Sequence, residues 1–253
     1  MVKAIADLVA AVAWPGVVLL LAYMFREPVA KFINDAKLLK FGAMSAERQV
    51  REEVDRSGKE AEAAEGRSDG PTSNELVRAG VVERLAENSD AAVIRGQARE
   101  LGEEYERVRG SLPSGDDRTR AMEVVVSKMR TIGRAVIPVR YDLSASNSPG
   151  ERLAAIASLQ VALDYDFIPW LTDRAETERP FISYHAMVAI LGGLRDPAAP
   201  RHAEELASSV LRLRTLGRES RGFQRDPSRV HLLRAIEGAA GTVREISDRL
   251  AAG

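Results

Sequence analysis

Residues 180–194 read PFISYHAMVAILGGL, and this stretch decides the fold of the body of the chain. Its side chains leave almost no polar face, which is typical of a helix buried between neighbouring helices. Pro180 suits the first position of such a helix, because the N–H that proline lacks would have no intrahelical partner there. Phe181–Leu194 is shorter than the roughly 20 residues that a membrane-spanning helix needs. The stretch therefore predicts a central buried helix and not a second membrane span.

Apolar residues recur at helical spacing on both sides of this stretch. Thr72 with Glu75, and Ser148 with Glu151, form the S/T-x-x-E pattern that begins many helices. No segment shows a convincing alternation of apolar and polar residues at a period of two, the mark of a half-buried strand. The sequence therefore predicts an all-α body over residues 72–253, with about seven or eight helices.

Short helices with brief turns between them are predicted from Ser148 onward. Residues 148–194, SPGERLAAIASLQVALDYDFIPWLTDRAETERPFISYHAMVAILGGL, resemble helical-pair repeats of the HEAT kind. The resemblance implies an α-solenoid, which would offer an extended surface to another protein. No strict repeat period is present in the sequence, so an irregular helical bundle is the alternative architecture.

The N-terminal region has the composition of a membrane anchor. Leu8–Phe25, LVAAVAWPGVVLLLAYMF, contains no charged residue and is close to the minimum length that crosses a bilayer. We therefore expect residues 4–25 to span the bilayer as one transmembrane helix, within an anchor of residues 1–28. A cleaved signal peptide fits poorly, because bulky residues and Arg26 follow the apolar run where small residues are needed. A buried core helix is the other alternative.

The distribution of lysine and arginine predicts the orientation of this helix. Arg26, Lys31, Lys37 and Lys40 follow the span, whereas only Lys3 precedes it. We therefore expect the body to lie on the cytoplasmic side of a bacterial inner membrane. The sequences WPGVVLLLAYMFREPVAKFI and LKFGAMSAE also resemble the anchor region of many uncharacterised bacterial membrane proteins. That resemblance implies the same topology and carries no chemistry.

Residues 29–71 are predicted to connect the anchor to the body. Val29–Ala43 has apolar residues at helical spacing and three lysines, which favours a helix lying at the membrane interface. Packing of this segment on the body is the alternative. Glu47–Glu65 is rich in both charges and predicts either a solvated helix or a disordered tether. The run GRSDGPTS that begins at Gly66 is typical of a flexible linker and marks the expected domain boundary.

The composition excludes several classes of site. The 253 residues include no cysteine, so neither a disulfide framework nor a thiolate zinc site can form. Lysine and arginine total 36, aspartate and glutamate total 37, and the formal net charge is -1. Such a chain has no overall attraction to nucleic acid. Nucleic acid is therefore not expected as a partner.

No motif with recognisable catalytic or metal-binding chemistry is found in the sequence. Gly110–Gly115 has the glycine spacing of a phosphate-binding loop, but Asp116 and Asp117 stand where a lysine and a hydroxyl residue are required. Two carboxylates at these positions would repel phosphate. The three histidines and the glutamates lack H-E-x-x-H or E-x-x-H pairing. We therefore expect no catalytic residue, no metal and no cofactor.

One segment near the C-terminus concentrates positive charge. Between residues 212 and 234 arginine is frequent, and the only acids are Glu219 and Asp226. A positive surface would suit an anionic partner, such as a nucleotide signal, a lipid headgroup or an acidic protein. Arginine outnumbers lysine throughout the chain, as in GC-rich bacterial genomes, so an ordinary solvated surface is the alternative. The candidate residues are Arg212, Arg214, Arg218, Arg221 and Arg225.

Aromatic residues provide a second candidate site. Trp170 follows Asp164 and Asp166 at a junction between predicted helices, where aromatic side chains can line a ligand pocket. Tyr184 and His185 lie in the apolar stretch described first. Burial in the hydrophobic core is the alternative for all three candidate pocket residues, Trp170, Tyr184 and His185.

Together these features predict a single-pass protein of the bacterial inner membrane with a non-catalytic helical body. The body would bind an unknown protein partner, whose local concentration the anchor raises. The alternative is a membrane-disrupting effector of the defence or toxin type. In that case a ligand or partner would drive homo-oligomerisation, and Pro15-Gly16 would let transmembrane helices pack closely or bend. An enzyme would require a site assembled from residues that are distant in sequence.

Overall fold

The computed structural model describes residues 45–64, 70–87 and 89–252. Within these ranges the chain forms eleven α-helices and three short 3-10 helices, without a β-strand. The predicted all-α class is therefore confirmed. Nearly all of the described residues belong to one compact unit, Glu47–Gly253.

The helices differ widely in length, from four residues in α10 to 26 in α11. The 3-10 helices occupy Ile137–Val139, Tyr165–Phe167 and Ala199–His202. The α-helices, in chain order, are α1 (45–63), α2 (Ser73–Ala86), α3 (Ala91–Ser111), α4 (Asp116–Thr131), α5 (Arg140–Ser144), α6 (Pro149–Val161), α7 (Ile168–Thr177), α8 (Pro180–Arg195), α9 (Ala203–Glu219), α10 (Arg221–Gln224) and α11 (Pro227–Ala252).

Local sequence signals fix two of the helix starts. At α2, the backbone N–H of Glu75 donates to the Thr72 hydroxyl at 3.2 Å, and the N–H of Thr72 donates to the Glu75 carboxylate at 2.7 Å. This is the reciprocal capping box that the sequence predicted. At α6, the Ser148 hydroxyl accepts from the N–H of Glu151 at 3.3 Å, and Pro149 begins the helix.

Helix α8 lies at the centre of the core. Every residue from Phe181 to Leu191 is buried, and the helix packs against α6, α7 and α11. This confirms the buried helix predicted from residues 180–194. Each fully buried leucine, isoleucine or methionine contributes roughly 1.5–3 kcal/mol relative to an exposed position, so α8 is a major source of stability.

Helix α1 packs on the rest of the compact unit. Val50 and Ser57 are buried, and the Ser57 hydroxyl lies 2.8 Å from that of Ser127 in α4. Arg78 of α2 forms ion pairs with two glutamates of α1. The sequence predicted a solvated helix or a tether here, and the structure shows a helix with one buried side. The compact unit begins at Glu47, before the linker at which the sequence placed the boundary.

The predicted transmembrane helix of residues 4–25 and the predicted interfacial segment Val29–Ala43 lie outside the described residues. No helix in the described part of the chain is both long enough and apolar enough to cross a membrane. The order of the helices does not distinguish a HEAT-like solenoid from an irregular bundle, and both stay predictions.

Candidate functional site

Two of the five candidate arginines are neutralised by acids from other helices. Arg212 of α9 forms ion pairs with Asp173, at 2.6 Å, and with Glu176 of α7. Hydrogen bonds that the Arg212 guanidinium donates to these carboxylates, chiefly to that of Glu176, raise its pKa. Arg214 donates to Glu237 of α11 at 2.7 Å. These two arginines therefore join helices and offer little net charge to a partner.

The other three candidate arginines keep their positive charge exposed. Arg218 lies near the end of α9, Arg221 begins α10, and Arg225 directly follows α10. All three side chains are exposed, and none has an ion-pair partner within the described part of the chain. Arg229, in the same segment of sequence, is buried and lies 4.8 Å from the ring of Phe223. The positive segment is therefore divided, and Arg218, Arg221 and Arg225 form what we call the basic end.

Helices α9 and α11 run antiparallel. Arg214 meets Glu237 near the end of α9, and a Cβ on Gly217 would lie 2.6 Å from Cδ2 of Leu233. Later residues of α9 therefore contact earlier residues of α11. Arg218 lies one helical turn beyond Arg214 on the same face of α9. The surface between the two helices thus continues directly into the basic end.

An open groove of about 580 Å³ lies between α9 and α11. Its floor is apolar and includes the buried side chains of Leu206, Val210 and Val243. Small residues form much of its walls, namely Ala203, Ala207, Ala240 and Gly241. Leu211, whose side chain also lines the groove, is 64% exposed. An apolar groove with small walls can accept the apolar face of another helix.

The three residues of the predicted aromatic pocket pack in or against the core. Tyr184 and His185 are buried in α8, with ring centroids 5.4 Å apart. Trp170 of α7 is half-buried and meets the ring of Phe167 edge-on at 5.9 Å. Trp170 also lies 5.8 Å from the guanidinium of Arg174. Its neighbours are thus different from those of Tyr184 and His185.

The structure also contains a buried chain of polar groups that links α2, α4, α6 and α8. Nε2 of His185 lies 3.3 Å from Oε1 of Glu123, and the backbone oxygen of His185 accepts from Gln160 at 2.7 Å. Oε1 of Gln160 in turn accepts from Nε of Arg130 at 2.8 Å. Nη1 of Arg130 lies 3.6 Å from Oε1 of Glu75. We call these five residues the polar chain.

The guanidinium of Arg130 is only partly satisfied by hydrogen bonds. Its side chain is only 3% exposed, and Nη2 has no hydrogen-bond partner among the described residues. The contact with Glu75, at 3.6 Å, is an ion pair but is longer than a hydrogen bond. Buried polar groups in folded proteins nearly always have a hydrogen-bond partner, so the unpaired Nη2 of Arg130 is unusual.

A cavity of about 250 Å³ adjoins Arg130 and is lined by α1, α2 and α4. Three carboxylates, those of Glu60, Glu75 and Glu123, and two guanidinium groups, those of Arg78 and Arg130, line it. Their formal charges sum to -1. Hydroxyl groups from serine and threonine complete a polar lining, which is unlike the apolar floor of the α9–α11 groove.

His185 was a candidate residue in the sequence, but the other members of the polar chain were not, because the contacts that join them lie between different helices. One signal was available in α4, where Glu123, Ser127 and Arg130 are spaced four and three residues apart and share one face of the helix. The same helix buries Met122, Val126 and Met129. Polar residues on a face that is largely buried indicate either a structural network or a ligand site.

Two other side chains, Tyr165 and Arg140, have a shifted pKa and a structural role. Burial raises the pKa of the Tyr165 phenol to about 12, with a smaller effect from a nearby aspartate. Its hydroxyl donates to the backbone oxygen of Gly193 at 3.0 Å. Burial lowers the pKa of Arg140, which donates to the hydroxyl of Ser158 and to the backbone oxygen of Ala162, both at 2.9 Å. Tyr165 thus joins its 3-10 helix to α8, and Arg140 joins α5 to the end of α6.

No group of three or more histidine, aspartate or glutamate side chains in a metal-binding arrangement is present in residues 45–64, 70–87 and 89–252. Comparison of the chain with protein-family models, curated proteins and solved structures found no significant match. The resemblances to HEAT repeats and to bacterial anchor regions therefore stay predictions.

Proposed function

We propose that this chain is a membrane-anchored, non-catalytic interaction module whose α9–α11 groove binds an acidic amphipathic helix of a partner protein. The observation that carries the proposal is that the open apolar groove ends at Arg214, one helical turn before Arg218 of the basic end. The anchor and the cytoplasmic orientation come from residues 4–25 and from the lysine and arginine residues that follow them.

The dimensions of the groove support a helix as its occupant. The groove extends along α9 from Glu204 to Arg214, which is about 15 Å at 1.5 Å per residue. Apolar side chains at positions i, i+3 or i+4, and i+7 of a partner helix would cover this length. The small side chains of Ala207, Ala240 and Gly241 would let the partner backbone approach closely.

The charges of the basic end support an acidic partner. Each exposed ion pair contributes roughly 1 kcal/mol or less, so the apolar groove would supply most of the affinity. The arginines would instead orient the partner and accelerate its association. A nucleotide or a lipid headgroup could pair with the same arginines but would leave the apolar side chain of Leu211, which is 64% exposed, uncovered. An amphipathic helix with acidic residues at one end would use both surfaces.

The proposal can be tested by site-specific photocrosslinking of the full-length chain in native membranes. A photoreactive residue at Ala207 lies in the groove, and one at Val77, which is 70% exposed on α2, serves as the matched control. We expect Ala207, and not Val77, to crosslink to a segment with a helical apolar stripe and acidic residues at one end. Reversal of the basic end to glutamate should weaken this crosslink strongly, because three attractive charges become repulsive towards an acidic partner.

Three results would contradict the proposal. These are a crosslinked segment without acidic residues, a crosslinked segment without a helical apolar stripe, and a crosslink that charge reversal leaves unchanged. Crosslinks between two copies of this chain, together with collapse of the membrane potential on overexpression, would instead support the membrane-disrupting effector. A membrane-potential dye in the same cells distinguishes the effector from the interaction module.

A further inference from the structure

We propose that two copies of this chain pair antiparallel through the exposed face of α9, and that this pairing closes the α9–α11 groove to its partner. The exposed face, which we call the pairing face, consists of Glu204, Ala207, Leu211, Thr215 and Arg218. The pairing itself depends on α9 alone, whereas its role in closing the groove rests on the function proposed above.

The pairing face is symmetric about Leu211. Ala207 and Thr215 lie four residues before and after Leu211, and Glu204 and Arg218 lie seven residues before and after it. At 3.6 residues per turn, the other four side chains point within about 40° of the direction of Leu211. A second α9 that runs antiparallel, with a two-fold axis at Leu211, would therefore set Glu204 opposite Arg218 and Ala207 opposite Thr215. A symmetric dimer requires a self-complementary surface of this kind.

The charges at the two ends of the pairing face complement each other across this axis. The side chains of Glu204 and Arg218 are exposed, and neither has an ion-pair partner within the described part of the chain. An antiparallel pair would form two contacts between Glu204 of one copy and Arg218 of the other. A parallel pair would instead set like charges against each other, which is unfavourable. The charges therefore favour the antiparallel arrangement.

An exposed leucine occupies the centre of the pairing face. On the two-fold axis, Leu211 would pack against Leu211 of the second copy, which removes apolar surface of both side chains from water. Ala207 and Thr215 are small, so the two helices could approach closely on either side of this contact. An apolar centre with a charged rim is the usual arrangement of a protein–protein interface.

Self-pairing and binding of the partner helix would exclude each other. Ala207 and Leu211 also line the α9–α11 groove, and Arg218 belongs to the basic end. A second α9 on the pairing face would cover these residues, so the partner helix would have to displace it. Anchors that hold the copies in one membrane would raise their local concentration and favour even a weak pairing. The pairing would thus keep the groove closed until the acidic helix competes for it.

Because the chain contains no cysteine, single cysteine substitutions can test the pairing. On oxidation of native membranes that hold the full-length chain, Leu211→Cys should give a disulfide-linked dimer, because the two substituted residues meet at the axis. Ala207→Cys is the matched control on the same helix. Its two copies would lie about 12 Å apart along the helices at 1.5 Å per residue, beyond the roughly 7 Å between Cα atoms that a disulfide spans. Coexpressed Ala207→Cys and Thr215→Cys chains should form a mixed dimer. No dimer with Leu211→Cys, or equal dimer formation by Ala207→Cys, would overturn the antiparallel pairing.

A charge swap separates this proposal from that for the groove. In the Leu211→Cys chain, Arg218→Glu should slow disulfide formation about fivefold or more, because the two-fold axis turns one substitution into two repulsive contacts. Addition of Glu204→Arg should restore the rate. The photocrosslink from Ala207 to a partner protein should stay weak in the swapped chain, since Arg218 is still replaced. Failure of the swap to restore the disulfide would overturn the self-pairing and leave the groove proposal intact. A restored disulfide without any partner crosslink in the parent would support the self-pairing and contradict only the groove proposal.

Discussion

Gly102 of α3 and Gly150 of α6 meet backbone to backbone. A Cβ on Gly102 would lie 2.9 Å from the carbonyl carbon of Gly150, and a Cβ on Gly150 would lie 2.6 Å from that of Gly102. Real Cβ atoms essentially never approach other atoms so closely, so neither position has room for a side chain. The contact brings α3 and α6, which share an extensive interface, into close approach.

Substitution of Gly150 by alanine should therefore destabilise the fold. The added methyl group meets backbone atoms of Gly102, which cannot move without shifting α3. Overpacking of this kind typically costs about 1–3 kcal/mol. The measurement is the free energy of unfolding of the full-length chain by urea.

Gly96 of α3 provides the matched control for Gly150 of α6. No atom lies within 4 Å of a Cβ placed there, and the residue is exposed. Gly96→Ala should raise the free energy of unfolding by roughly 0.5–1 kcal/mol, because alanine has the higher helix propensity. Equal stability of Gly150→Ala and the parent would show that the two helices are not held by this contact.

The buried ion pair of Arg130 with Glu75 leads to a second stability prediction. Glu75→Gln keeps a side chain that can complete the capping box with Thr72, but it removes the negative charge opposite Arg130. Leaving a buried guanidinium without its counter-charge should cost about 3 kcal/mol or more. Urea unfolding measures the loss.

An exposed ion pair serves as the comparison for Glu75. Arg48 and Glu52 of α1 lie 3.1 Å apart, with side chains 83% and 58% exposed. Glu52→Gln should change the free energy of unfolding by about 1 kcal/mol or less, because water screens the pair. If Glu75→Gln lowered the free energy of unfolding no more than Glu52→Gln, the guanidinium of Arg130 would have to be in contact with water.

Tyr165 should show its burial in an alkaline titration. Its pKa is raised to about 12 in the folded protein, whereas an unperturbed tyrosine has a pKa of about 10. The stability that Tyr165 gives the fold through this shift is fully present below about pH 10. It declines as the pH rises towards about 12, because the phenol of Tyr165 ionises at lower pH in the unfolded chain than in the folded chain. The difference in ultraviolet titration between the parent and Tyr165→Phe measures the pKa directly.

Stability measurements test the same tyrosine independently. At pH 8, Tyr165→Phe should be less stable than the parent by about 1 kcal/mol, because the hydrogen bond to Gly193 is lost. The gap should narrow at pH 11, where only the parent is destabilised by ionisation of this phenol. A gap that stays constant between the two pH values would mean that Tyr165 ionises equally easily in both states.

The elements that were predictable from the sequence depend on local patterns. The buried α8 follows from the composition of residues 180–194, and the start of α2 follows from Thr72 and Glu75, three residues apart. The polar chain depends on contacts between residues 25 or more positions apart, such as Gln160 with His185. Helical periodicity places a residue on a face, but it does not show which other helix that face meets.

The arginine segment illustrates the same limit at the surface. The spacing of the sequence does not distinguish Arg212 from Arg218. The acids that neutralise Arg212 belong to α7, more than thirty residues earlier in the chain. Only the packing of α7 against α9 separates an arginine that joins helices from one that is open to a partner. The groove itself requires α9 and α11 side by side, which no local pattern indicates.

Arg212 and Arg218 therefore form a matched pair for testing the basic end. Arg218→Ala should weaken the crosslink at Ala207 by up to about fivefold, because one exposed ion pair contributes about 1 kcal/mol or less. The loss should shrink as the salt concentration rises and the charge is screened. Arg212→Ala should leave the crosslink nearly unchanged and lower the free energy of unfolding slightly, since its partners are Asp173 and Glu176 of its own chain. Equal weakening by both variants would indicate that the partner responds to net charge and not to the basic end.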